Sequence, residues 1–249
     1  MRNILATLLV IGAATVSLNS VANAVTITKP KGVVELFTSQ GCYSCPPADK
    51  LIGKFADSSD VLGLSFHVDY WDYLGWKDSF ASPENTQRQY SYARALRERQ
   101  VYTPQAVVNG RAHTVGSDER KIRALIDRFK AAGNGMSVPI NVEMGQESLK
   151  ITISEGDLKG SATLHMVMFN KSHTVKIDRG ENGGKTLTYH NVVHRAQPLG
   201  LVKTEGFDMD YPAVEMANSG FDSCALILQR NDANGNPGEI IGAVVLSDL

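Results

Sequence analysis

Apolar and polar positions alternate in two different rhythms along this chain, and the change of rhythm divides it. In the first half, short apolar runs are separated by stretches with helical spacing. Val33 to Phe37 is a short, mostly apolar run suited to a buried strand. Pro46 and Pro47 can open a helix, because early helical positions tolerate proline. Ala48, Leu51, Ile52 and Phe55 then fall at i, i+3, i+4 and i+7 on one face. Val61 to Phe66 is a second apolar strand, and Ser82-Pro83-Glu84 signals a helix running to about Arg99. Gln105–Val108 and Ala112–Val115 flank Asn109-Gly110, a strong hairpin signal. Ser117-Asp118-Glu119 caps a last helix with Ile122, Leu125, Ile126 and Phe129 on its apolar face, ended by Gly133. The predicted order is β-α-β-α-β-β-α, an α/β mixed sheet with helices on both faces.

The second half changes to period two. Val138, Ile140, Val142 and Met144 alternate with polar residues, as do Leu149, Ile151 and Ile153. Thr163–Phe169, Ser223–Gln229 and Ile240–Leu246 are further strands, while Gly180–Gly184 and Asp232–Gly238 are turn clusters. No helical face stands out. The expectation is an all-β, sandwich-like domain over 135–249, joined at Gly133-Asn134-Gly135 to an α/β domain over 25–134.

Residues 1–24 stand apart from both. Arg2, the apolar stretch Ile4–Leu18 and the small-x-small triplet Ala22-Asn23-Ala24 read as a cleaved secretory signal. That stretch is short against the roughly 20 residues a membrane span needs. The expected location is therefore periplasmic or secreted, with no membrane attachment after cleavage. The formal net charge of −1 and the lack of a polybasic run give no support for nucleic-acid binding.

Export to an oxidising compartment gives weight to the cysteines. The chain has three, and Cys42-Tyr43-Ser44-Cys45 places two of them between an apolar strand and a helix. Three chemistries share this spacing. As a staple, a bridge over so short a loop contributes about 2 kcal/mol, against roughly 4.7 for a hundred-residue loop. A zinc site needs two further ligands, and no second cysteine pair exists. As a redox dithiol, Cys42 sits where a helix N-terminus favours a thiolate, and Cys45, one turn into the helix, would resolve the mixed disulfide. Tyr102-Thr103-Pro104 precedes a strand, and a cis Pro104 would offer the Thr103 backbone to an extended substrate; a trans proline at a strand start is the plainer alternative. The expected partners are protein thiol or disulfide substrates or a redox partner, with no cofactor.

The element order, the CxxC at the first strand–helix junction and the Thr103-Pro104 before the third strand resemble the thioredoxin superfamily. More closely, Val34–Cys42, Cys45–Asp49, Ser65–Asp72 and Tyr102–Gln105 resemble an exported bacterial family catalogued as domain of unknown function 1223. The resemblance implies a thioredoxin-like fold and a secreted location, and no assigned substrate. One position departs from the thioredoxin pattern. The acid buried there six residues before the first cysteine is Leu36 here, and Glu35 is one residue off, which on a strand points to the opposite face. Tyr43-Ser44 also replaces the usual Gly-Pro, which should shift the reduction potential.

Between the second strand and the second helix lies an aromatic insertion with Tyr70, Trp71, Tyr73, Trp76 and Phe80. It would either wall a substrate groove over Cys42, with Tyr43 and Trp71 as contacts, or bury itself as a lid. His67, Asp69 and Asp72 lie in the same stretch. Cys42, Cys45 and His67 together would suit copper, so a copper carrier is the alternative binding function; a non-catalytic interaction module is a third. His190 and His194 would share one side of a strand, Cys224 reads as a buried inert thiol, and Asp232–Asn236 as a hairpin turn, its loop lacking the terminal Glu of an EF-hand.

Overall fold

A computed structural model describes residues 25–249; residues 1–24, read above as a secretory signal, lie outside the described residues. The elements are β1 Thr26–Thr28, β2 Gly32–Thr38, α1 Pro46–Ala56, β3 Val61–His67, α2 Pro83–Ala95, β4 Gln105–Val108, β5 Ala112–Val115, α3 Glu119–Ala131, β6 Asn141–Met144, β7 Ser148–Ile153, β8 Ala162–Lys176, β9 Thr186–Val202, β10 Phe207–Pro212, α4 Ala213–Ala217, β11 Ser223–Asn231 and β12 Pro237–Ser247.

The first half follows the expected order. β2 pairs in parallel with β3 and antiparallel with β4, and β4 pairs antiparallel with β5. Asn109 and Gly110 both take positive φ, 50° and 64°, as a tight hairpin turn requires. Strand alternation sends Val34, Leu36, Ala106 and Val108 to a core with α1 and α3. It sends Val33, Phe37 and Val107 to the opposite face, where Tyr92 of α2 packs. α2 stops at Ala95, short of Arg99, because Arg97 turns left-handed at φ 59° and the Glu98 N–H bonds back to the Ala93 carbonyl at 2.8 Å.

The second half is less separate than its composition implies. Its strands β8, β9, β11 and β12 join the first half in one nine-stranded sheet of order β1-β12-β11-β8-β9-β3-β2-β4-β5. The junction is narrow, a single parallel register of Ser65 with Val192. A second sheet of order β10-β7-β6 covers one face. On β11, Cys224, Leu226 and Leu228 face this small sheet with Leu149, Ile151 and Ile153. Ala225 and Ile227 face the other way, into one core with Val33, Phe37, Leu64 and Phe66 of the first half. Both faces of these strands are therefore buried, which is why β11 reads as a continuous apolar run. The sandwich exists, and its outer face is the inner face of the α/β half. β10 and the one-turn helix α4 were outside the sequence reading, and of β9 only the stretch around His190 and His194 was read as a strand; β9 is long and carries no clean alternation.

Candidate functional site

Cys42 and Cys45 form a disulfide, with Cα atoms 5.4 Å apart, where β2 gives way to α1. Cys45 is the N-cap of α1, and Cys42 lies in the turn before it. This corrects the expected electrostatics. Cys45 caps the helix instead of standing one turn inside it. The first two helical positions are Pro46 and Pro47, which have no N–H. The next two N–H groups, of Ala48 and Asp49, both donate to the Cys45 carbonyl, at 2.8 and 3.1 Å. Free backbone N–H donors for a thiolate are thus replaced by proline rings, leaving the helix dipole and the Ser44 hydroxyl, whose Oγ lies 3.6 Å from Cys42 Sγ. Cys42 is 1% exposed and Cys45 fully buried.

The acid at this site is Asp49, which the sequence reading passed over. It follows Cys45 by four residues, hence on the same helical face. It is buried, its Oδ1 accepts from Thr38 Oγ1 at 2.7 Å, and its Oδ2 has no partner. Burial pushes its pKa up to about 7, against the opposing charge of His67 and the Thr38 hydroxyl. The signal was available: an aspartate three residues before Ile52 and four after Cys45, on the face that packs inward. Glu35, the acid the sequence did weigh, is buried on the opposite face. It binds Arg88 Nε at 2.8 Å and also Tyr92, and Arg88 continues to Gln229 Oε1 at 2.9 Å. Its role is to join α2 and β11 to the sheet.

His67 stands beside Thr38, its register partner on the parallel strand. Its Nδ1 is 2.7 Å from Asp78 Oδ2, and both side chains are fully buried. Burial works against the imidazolium, but the Asp78 carboxylate outweighs it by charge and hydrogen bond and raises the His67 pKa. Asp78 is correspondingly lowered, burial being outweighed by His67 and by the N–H groups of Gln40 and Phe80. Among the described residues no three His, Cys, Asp or Glu side chains are grouped to hold a metal ion, so Cys42, Cys45 and His67 are not assembled into the copper set.

The aromatic insertion braces the cysteine loop. Trp71 Nε1 donates to Thr103 Oγ1 at 2.7 Å, and Trp76 Nε1 to Gln40 Oε1 at 2.8 Å. Phe80 packs on His67, Tyr189 and His173. The Thr103–Pro104 peptide is cis. Both tryptophans are half-buried, while Tyr43 and Tyr73 are 68% and 78% exposed. Thus Trp71 ties together two of the expected regions, the cysteine loop and Thr103, and Tyr43 projects outward from the disulfide.

The other signals resolve separately. His190 and His194 do not share a surroundings: His190 packs on Gly53 of α1, whereas a register shift beside Val193 sends His194 onto Phe221 and Phe80. Cys224 is a buried free thiol whose pKa burial pushes up to about 12. Asp232 Oδ1 accepts the N–H groups of Asn234 and Asn236 at 2.8 Å each, closing the hairpin turn.

The family model described as "Protein of unknown function (DUF1223)" matches residues 33–229. The chain belongs to that family. Its solved relatives include a structural-genomics protein from Agrobacterium tumefaciens, 43% identical with a TM-score of 0.80, covering 88% of this chain and 95% of that one. HBP35 of Porphyromonas gingivalis is 16% identical with a TM-score of 0.56, covering 89% of this chain and 76% of that one, a likeness of fold. No curated protein matches the chain.

Proposed function

We propose that this DUF1223 member is an exported, thioredoxin-like thiol–disulfide exchange protein acting in the periplasm or outside the cell through Cys42 and Cys45. The observation that carries the reading is the pairing of this disulfide with Asp49, a buried acid one turn beyond Cys45 with an unpartnered oxygen. The strand order β3-β2-β4-β5, with α1 and α3 on one face and α2 on the other, supports it.

In this reading a client thiolate attacks Cys42 Sγ. The Cys42–Cys45 bond breaks, its electron pair leaves with Cys45, and Asp49 supplies the proton that makes Cys45 a thiol. A second client thiolate attacks the client sulfur of the mixed disulfide, releasing Cys42 and leaving the client oxidised and the protein reduced. Run backwards, Asp49 takes the Cys45 proton and the protein acts as reductant; the relative potentials set the direction. A protein pKa near 7 lets one carboxyl serve both ways.

The burial of both sulfurs favours a second reading, a permanently closed structural disulfide. The test is a Cys45→Ser variant, which cannot resolve a mixed disulfide. Capture of a protein client through Cys42 supports exchange. No captured client, together with a potential below about −300 mV, supports the closed bridge.

A further inference from the structure

The tip of the β8–β9 hairpin reaches the cysteine loop from the other half of the chain. Between Lys176 and Thr186 the chain turns through Gly180, Gly183 and Gly184, and Ile177 closes the turn by bonding Lys185 and Gly184 at 2.9 and 2.7 Å. At the apex, Asn182 Nδ2 donates to two carbonyls of the cysteine loop, those of Gln40 and Cys42, at 2.9 Å each. Glu181 Oε2 accepts the Tyr43 N–H at 3.2 Å. Lys185 Nζ donates to Asn182 Oδ1 at 2.8 Å and lies 5.0 Å from the Tyr43 ring centroid. Asn182 is 1% exposed, while its neighbours Glu181, Gly183, Gly184 and Lys185 are exposed. The tip is therefore a solvated turn held down by two buried side chains, Ile177 at its base and Asn182 at its apex.

Exchange requires a thiolate to reach a disulfide sulfur, so access limits its rate. At 1% exposure Cys42 offers no approach, and something must move first. An exposed turn rich in glycine, with Ile177 at its base as its one buried apolar side chain, opens at lower free-energy cost than the sheet beneath it. We propose that Asn182 is the access-determining residue of this site: bonded to Gln40 and Cys42 it holds the tip closed over the pair, and its release lets a thiol reach Cys42. The second half of the chain then supplies the selectivity of the first, admitting partners that displace the tip. The inference rests on the exchange reading but is tested apart from it.

The experiment is the rate of reduction by dithiothreitol, quenched in denaturant with an alkylating agent. One dithiothreitol thiolate opens the Cys42–Cys45 bond, Cys45 takes up a proton, and the second thiolate releases Cys42 as cyclic oxidised dithiothreitol forms. With Cys224 free, the label count rises from one to three. Asn182→Ala should react at least about tenfold faster, the effect of removing two hydrogen bonds that favour a closed state, with a near-native melting temperature. A folded Asn182→Ala reacting within twofold of wild type overturns the inference, as does a Trp71→Ala variant that alone speeds reduction, since the cover would then be the aromatic insertion. Should Asn182→Ala not fold, Glu181→Ala/Lys185→Ala loosens the exposed attachments; a severalfold increase supports the inference and an unchanged rate overturns it. Dithiothreitol reads access with or without a client. A faster Asn182→Ala and no client captured by Cys45→Ser keep this inference and sink the exchange reading; the opposite pair of results does the reverse.

Discussion

Asp49 donates its backbone N–H to the Cys45 carbonyl at 3.1 Å while its carboxyl is held by Thr38, so the buried acid and the buried sulfur share one turn of one helix. Its raised pKa, about 7 against 3.8, makes a stability prediction. Between those two pH values the folded protein keeps a proton on Asp49 that the unfolded chain has lost. Stability therefore falls as pH rises through this window. Asp49→Asn cannot titrate. It should match wild type near pH 4 and exceed it by up to about 4 kcal/mol at pH 8, read from urea unfolding at several pH values. His67, also raised, adds a decline above pH 6.5 that both proteins show through Asp78, with the smaller contribution of the Asp49 charge lost in Asp49→Asn. A stability difference that does not change with pH would mean that Asp49 titrates as an ordinary carboxyl.

The Glu35 network should behave in the opposite way, as structure without chemistry. Arg88→Met leaves the Glu35 carboxylate buried without its cation, at a cost of about 3–5 kcal/mol. The reduction potential of Cys42–Cys45 should stay where it is, because Glu35 points to the α2 face and Cys42 and Asp49 belong to the α1 side. A marked change in potential with little loss of stability would reverse this division of roles.

Trp71→Phe keeps an aromatic ring but removes the N–H that binds Thr103. We expect a loss of about 1 kcal/mol in unfolding free energy. Trp71→Ala should cost more, since it also removes the half-buried indole ring that packs beside Tyr70. If both variants keep wild-type stability, the insertion is not a brace for the cysteine loop.

The first half was legible because each local signal agreed with the fold. The Ala48-Leu51-Ile52-Phe55 face, the Asn109-Gly110 turn and the Ser82 and Asp118 caps all stand where expected. What was not legible depended on residues far apart in sequence. Nothing local says that Asn182 bonds the Cys42 carbonyl 140 positions away, or that β9 pairs with β3 through one residue. Asp49 was overlooked for another reason: a charged residue in a helix reads by default as solvated, and only its register with Cys45 and Ile52 marks it as inward. Pro46 and Pro47 were read as helix openers, which they are, while their missing N–H groups change the site's electrostatics.

Because Val33, Phe37, Leu64 and Phe66 share a core with Ala225, Ile227 and Val245, the α/β half cannot bury one face of its sheet alone. A fragment of residues 25–134 should therefore fail to unfold cooperatively, and a chain of residues 25–249 should unfold in one transition by circular dichroism and by tryptophan fluorescence. A single substitution at the seam tests the same coupling without cutting the chain. Gly110 has φ +64°, and a Cβ there would lie 1.9 Å from the Gly238 carbonyl oxygen. Beside it the Ile240 N–H bonds the Asn109 carbonyl at 2.9 Å. Gly110→Ala combines a disfavoured backbone conformation with a backbone clash across the two halves, and should cost about 3 kcal/mol or more. Gly75→Ala takes the same kind of φ, +88°, with nothing within 4 Å of the new methyl. It should cost about 1 kcal/mol. Equal losses at the two glycines, or a folded and cooperative 25–134 fragment, would show that the halves are separable domains.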